Sequence, residues 1–190
     1  MTEWNDQTAE WYAENYGEYP ANIAALEGLD FNPNLVIVDV GCGTGSALRA
    51  ASDKYLGGKL IGIDPVNRMV EIARERIIEH PEADRISFQK GSAENLPLGD
   101  NFSDFVLAFD SIDHWNDTKK GISEIKRVLK DNGKLVIVKD LEVPDAANKL
   151  ADLREGLCLS GFSIYEDQEI FFEKVRFVRM ICGKIDNTQE

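Results

Sequence analysis

The segment Val38-Asp39-Val40-Gly41-Cys42-Gly43-Thr44-Gly45 sets three glycines at alternate positions, behind the apolar Leu35-Val36-Ile37 and ahead of the helix-forming Ser46-Ala47-Leu48-Arg49-Ala50. A strand, tight turn and helix start of this kind leaves the first-turn N–H groups without intrahelical partners, and glycines let a ligand approach them closely. Such a corner binds an anionic group. Two carboxylates bracket it. Asp39 lies two residues before the first glycine. Asp64 ends a second apolar run, Lys59-Leu60-Ile61-Gly62-Ile63, roughly 20 residues past the glycines, where nucleotide-binding folds place a ribose-binding carboxylate.

The glycine spacing separates two kinds of ligand. A dinucleotide fold asks for G-x-G-x-x-G, with glycine at position 46, whereas this chain has Ser46 and carries its third glycine as Gly45. Asp39, at a strand end, repels a pyrophosphate and attracts an ammonium group. The pattern favours a zwitterionic ligand over a diphosphate.

From about Leu35 to about Lys139 the chain resembles the class I S-adenosylmethionine-dependent methyltransferases, and within them the type 11 or UbiE-like group that methylates metabolites. Residues 38–45 resemble that family's first motif, and Gly62-Ile63-Asp64-Pro65-Val66-Asn67-Arg68-Met69 its second. Gly91-Ser92-Ala93-Glu94-Asn95-Leu96-Pro97-Leu98 resembles the adenine-contacting block, and Asn101-Phe102-Ser103-Asp104-Phe105-Val106-Leu107 the fourth strand. Arg127-Val128-Leu129-Lys130-Asp131-Asn132-Gly133-Lys134-Leu135-Val136-Ile137 resembles the turn before the fifth strand. The chain departs from the family at three places. Ser92 stands where an aspartate usually accepts from the adenine amino group, Pro65 replaces a branched apolar residue over one adenine face, and Asp131-Asn132-Gly133 replaces Pro-Gly-Gly.

The resemblance implies a Rossmann-like, doubly wound α/β fold: a mostly parallel seven-stranded sheet of order 3-2-1-4-5-7-6, strand 7 antiparallel, with helices on both faces. It implies S-adenosylmethionine as cofactor, with in-line transfer of its methyl group to an oxygen, nitrogen or carbon nucleophile of a small molecule. The residues then expected around the cofactor are Asp39, Gly41, Cys42, Gly43, Gly45, Asp64, Pro65, Met69, Ser92, Ala93, Glu94, Asp110 and Tyr16. Asp64 would accept from both ribose hydroxyls, and Asp39 would lie near the methionyl ammonium.

Asp110-Ser111-Ile112-Asp113-His114-Trp115-Asn116-Asp117 follows the fourth strand, at the carboxyl edge where open α/β sheets bind ligands. There His114 is a candidate general base, and Asp110 and Asp113 are candidates for orienting a cationic or hydroxylated substrate. Plainer roles compete. A loop histidine packs beside Trp115, Met69 fills an apolar helix stripe, Asn116 or Asp117 caps the next helix, and His80 beside Pro81 is structural. Two other classes remain in view, an NAD-dependent oxidoreductase on a shared fold and a catalytically silent cofactor-binding module.

These groups need elements to hold them. Strand-like runs at 35–40, 59–64, 85–90, 104–109 and 134–139 alternate with helix-like segments at about 45–55, 66–79, 117–130 and 145–159, the signature of a parallel sheet covered on both faces. Residues 162–165 and 174–184 read as two further strands joined by a short acidic connection. Before Pro20, Trp4 and Trp11 fall seven apart and Tyr12, Tyr16 and Tyr19 at i, i+4 and i+7, which predicts a helix with two aromatic rows, packed on the core or closing over the cofactor through Trp11, Tyr12 or Tyr16. The tail from Asp186 to Glu190 reads as frayed.

The chain's 190 residues suit one domain, divided as a helical cover (1–34), a cofactor-binding core (35–140), and a helix with a hairpin (141–190). A net charge of −13 without a clustered basic patch disfavours nucleic acid as partner. Neither signal peptide nor membrane span is legible, so a cytoplasmic monomer or homodimer is expected. Cys42, Cys158 and Cys182, widely spaced and odd in number, indicate neither a disulfide framework nor a zinc site, and no metal is expected.

Overall fold

A computed structural model of the chain describes residues 5–30, 33–55 and 57–185. Alternation along the central strands sets its layers. Strand β1 (Val36–Val40) buries Ile37 toward one face and Val38 and Val40 toward the other, and β4 (Ser103–Phe109) divides Phe105, Leu107 and Phe109 from Val106 and Ala108 in the same way. Both faces must therefore be covered. Helices α2 (Pro20–Ala24), α3 (Ser46–Lys54) and α4 (Asn67–Arg76) cover the first, and α5 (Thr118–Val128) and α6 (Ala146–Leu159) the second.

With β2 (Lys59–Asp64), β3 (Ile86–Lys90), β5 (Leu129–Asp140), β6 (Phe162–Phe172) and β7 (Val175–Lys184), the sheet has the order β3-β2-β1-β4-β5-β7-β6. Neighbours from β3 to β5 pair in parallel, and β7 is antiparallel to both β5 and β6. This is the topology the resemblance implied. Phe162 and Phe177 are fully buried, one on each face, and each contributes roughly 1.5–3 kcal/mol of apolar burial.

Three local expectations differ. The helix expected to run to residue 130 ends at Val128, because Leu129 is drawn wholly into the core and pairs with Ser103 at the start of β4. The acidic stretch 166–169, expected as a connection, lies inside β6. Glu166 pairs with Arg179, Asp167 with Arg154 and Glu169 with Arg176, so strand pairing meets opposite rather than like charge. The turn shrinks to Glu173-Lys174.

The N-terminal helix also stops early. Helix α1 (Asp6–Tyr16), capped by Asn5, ends at Gly17, and Pro20 opens α2, so Tyr19 lies off the helix that carries Tyr12 and Tyr16. Alanines, not aromatics, pack inward: Ala9 and Ala13 are buried, while Trp11 and Tyr16 are about half exposed at 55% and 47%. Charge holds the segment down, with Arg68 on Glu10 at 2.6 Å, Arg76 on Glu18 at 2.5 Å, and Arg49 also on Glu18. Trp4 and residues 186–190 lie outside the described residues. Among the described residues no helix is long and apolar enough to cross a membrane.

Candidate active site

The chain leaves β1 toward β2 on one side, and leaves β4, its other neighbour, toward β5 on the other. That reversal opens the sheet's carboxyl edge between β1 and β4 into a crevice, the place where open α/β sheets bind ligands. Its floor is the glycine turn. Gly41 and Cys42 donate their N–H groups to the Ile63 carbonyl at 2.8 and 3.1 Å, and Gly45 donates to Cys42 at 2.8 Å. Gly45 has φ +75°, and a Cβ there would stand 2.4 Å from the Phe88 ring, so side chains are excluded at the back of the turn. At Gly43 the same construction meets only open space.

Asp64 closes the turn from β2. Its Oδ2 accepts from Gly43 N and its Oδ1 from Val66 N, each at 2.9 Å. Burial raises its pKa against the lowering pull of those two N–H groups. Each oxygen keeps a further lone pair for a ligand hydroxyl. Asp39 is only 2% exposed and its Oδ1 has no partner. Burial first, and the nearby Asp64 second, push its carboxyl up to about 8.

Asp110 follows β4 in the left-handed region at φ 49°, which few non-glycine residues adopt without a compensating role. Its Oδ1 accepts from Asp140 N at 2.6 Å, while its buried Oδ2 is unpartnered. Burial pushes this carboxyl up to about 6, partly offset by the Asp140 N–H. Ser111 seals the seam between β1 and β4 by donating to the Val40 carbonyl at 2.6 Å.

The crevice has two lobes, about 130 and 50 Å³, that share Tyr12, Gly41, Gly43, Phe109 and Asp110. The larger is walled by Asp64, Pro65, Met69, Ser92, Ala93, Glu94, His114 and Trp115, the smaller by Asp39, Cys42, Tyr16 and Tyr19. Tyr12 lines both. Burial and the charges of Asp110 and Asp64 raise its phenol to about 12. Tyr12, Tyr16 and Tyr19 form a chain of rings with centroids 5.4 and 6.5 Å apart.

Two expected residues stand elsewhere. Gly45 lies behind the turn and lines neither lobe. Asp113 faces a separate groove of about 700 Å³ along α5 and α6, where it pairs with the buried Lys139 and, at 3.2 Å, with Lys149. Although partly desolvated, its carboxyl is held below the ordinary range by those two lysines. His114 lies at the rim, its pKa lowered chiefly by desolvation, so at neutral pH it is a neutral imidazole.

Ser92 donates to Glu94, whose Oε1 also accepts from Asn116 N at 2.7 Å and Asp117 N at 3.1 Å, so this pair clasps the β3 and β4 loops together. Asp117 caps α5 through Lys120 N, and His80 accepts from Glu82 N and faces Asp53, a structural role.

Sequence reasoning missed Tyr19, Asp140 and Asn22. The Tyr19 hydroxyl donates to Asp140 Oδ2 at 2.7 Å, and Asn22 donates to Ser46 Oγ at 2.7 Å. Asp140 ends β5 just beside Asp110 after β4, and that shared sheet edge was the available signal.

The residues present fit an adenosyl amino acid: Asp64 keeps acceptor capacity for a ribose, the buried orphan oxygen of Asp39 suits an ammonium group, and the space over Gly43 admits the chain between them.

A model of the methyltransferase-domain family matches residues 38–137. The chain is 30% identical over 184 residues to an O-methyltransferase from Pyrenophora dematioidea, covering 86% of this chain and 66% of that one. It is 37% identical over 107 residues to a demethylmenaquinone methyltransferase from Symbiobacterium thermophilum, covering 56% and 43%. The chain spans about half the length of most of the curated relatives it matches. In fold it is similar to the crystal structure of a SAM-dependent methyltransferase from Aquifex aeolicus, with a TM-score of 0.76 at 20% identity over 94% of this chain and 99% of that one.

Proposed function

The chain belongs to the methyltransferase-domain family, and from that premise we propose that it binds S-adenosylmethionine in the crevice between β1 and β4 and methylates an oxygen, nitrogen or carbon nucleophile of a small molecule. The observation that carries the reading is the pair Asp39 and Asp64 on either side of the glycine turn, one with a buried unpartnered oxygen and the other ready for a diol. Residues 41–43 would hold the amino-acid end with Asp39 on its ammonium, Asp64 the ribose, and Pro65, Met69 and Ala93 the adenine. When bound, the cofactor supplies a methyl group already activated on a sulfonium.

The protein's own task is then alignment, and orientation alone can supply about 7–11 kcal/mol of barrier lowering. Tyr12, common to the walls of both lobes, would help to exclude water once the crevice is filled. His114, neutral at the rim, is placed to take a proton from an acidic acceptor. Residues 1–34 serve as cover, 35–140 as cofactor-binding core, and 141–190 as supporting helix and hairpin. Three unpaired cysteines support a cytoplasmic location, with the chain working as monomer or homodimer.

Calorimetry tests the core of this reading. S-adenosylmethionine should bind, and Asp64→Ala should weaken it by about tenfold or more, near 1.4 kcal/mol. Equal affinity in the variant removes the site.

A further inference from the structure

Resting on the methyltransferase reading above, we propose that the methyl acceptor is a cationic amine, seated between the unpartnered oxygen of Asp110 and the rings of Tyr12, Tyr16 and Tyr19, with its nitrogen as the nucleophile. The first support is the charge of the crevice. Its lining carries four carboxylates, Asp39, Asp64, Glu94 and Asp110, and, among the described residues, neither lysine nor arginine. The nearby Lys139 is buried against Asp113 outside the crevice, and His114 is neutral. A phosphate- or carboxylate-bearing acceptor would meet a wall of carboxylates, and Lys139, whose charge reaches Asp110, is itself engaged by Asp113.

The second support is the carboxylate the cofactor leaves over. Asp39 and Asp64 are matched to the ammonium and ribose of the cofactor, and Glu94 is committed to the Asn116 and Asp117 N–H groups. Apart from Asp39, Asp110 is the carboxylate among the described residues that keeps a buried oxygen without a partner, and the chain holds it there in a left-handed conformation. Asp140, its neighbour, is already satisfied by Tyr19 and Glu142 N.

The third support is the ring chain. Tyr12, Tyr16 and Tyr19, in contact with one another, line the same lobe as Asp110. Aromatic rings around a carboxylate are the arrangement that receives an ammonium group, whereas an alcohol gains little from the ring faces.

An alkylammonium has no lone pair and must first lose a proton. Asp110 accepts it, becoming a neutral carboxyl. The freed nitrogen lone pair forms the new N–C bond as the methyl–sulfur bond breaks, its electron pair staying on sulfur. The product leaves as an N-methylammonium with S-adenosylhomocysteine, and Asp110 returns its proton to water. Because burial already raises this carboxyl to about 6, holding the proton costs less than at an exposed aspartate.

The test uses the full chain saturated with S-adenosylhomocysteine, its occupancy measured by calorimetry. Into this complex are titrated phenethylamine and a series of alkylamines, with phenethyl alcohol and 3-phenylpropionate as matched neutral and anionic probes. Amines should bind at least about tenfold more tightly than their matched alcohols, and Asp110→Asn should erase that preference. With S-adenosylmethionine in place, methyl transfer should fall on nitrogen, and Asp110→Asn should lower it about a hundredfold. Binding of the cofactor product without any amine preference, or transfer confined to hydroxyl or carbon acceptors, overturns the amine proposal alone. Failure of S-adenosylhomocysteine to bind overturns the methyltransferase reading with it. The wild-type preference decides the matter even where the Asn variant does not fold.

Discussion

Burial, and after it the nearby Asp64, push the Asp39 carboxyl up to about 8, and an arriving cation favours its ionised form. An unfolded aspartate titrates near 3.9, so between about pH 4 and 8 the native state binds the extra proton. Its contribution to stability is complete below pH 4 and is lost as pH rises through 8. Relative to Asp39→Asn, the wild-type protein should therefore lose roughly 2–5 kcal/mol between pH 5 and 9. Denaturant titrations across that range read the difference directly, and parallel pH profiles would contradict it. Asp39, Asp64, Gly41 and Gly43 were legible as crevice residues because each lies within a few residues of a strand end. The Tyr19 and Asp140 pair was not, since the two lie 121 residues apart and meet only after β5 joins β4. Asp113 misled for a related reason: its partner Lys139 is buried one strand away, and opposite charge turned it from the crevice.

Element by element, the parallel core followed from apolar periodicity, whereas the joins between elements depended on partners remote in sequence. Arg179 shows how much rests on such a join. It lies on β7, only 7% exposed, and donates to the Ala25 carbonyl at 3.0 Å, the Glu27 carbonyl at 2.6 Å and Glu166 at 2.7 Å. One guanidinium thus fastens the end of the N-terminal segment to the sheet and neutralises Glu166, the first carboxylate of the acidic stretch that looked like a loop. Arg179→Met should leave the buried Ala25 carbonyl and the half-buried Glu166 without this donor, release the Glu27 carbonyl, and cost about 2–4 kcal/mol. A denaturation midpoint equal to the wild type would show that these contacts carry no weight. The acidic residues of β6 could not announce a strand by themselves, because the arginines that neutralise them come from α6 and β7.

For the molecule entire, a net charge of −13 surrounds a crevice whose own walls are acidic. A sulfonium amino acid carries one net positive charge, so the field draws it inward, and screening lengths near 10 Å at 0.1 M salt weaken that draw. Stopped-flow association of S-adenosylmethionine should slow several-fold between about 20 and 500 mM salt with little change in the dissociation rate; a rate indifferent to salt would remove the steering. Thr44, within the glycine turn, donates its hydroxyl to the Gly17 carbonyl at 2.6 Å, where α1 gives way to α2. Any occupant that shifts the turn must carry that hinge along, bringing Tyr16 and Tyr19 with it. The ligand-binding turn and the cover above it are thus tied by one hydroxyl, so that strain in either is shared by both.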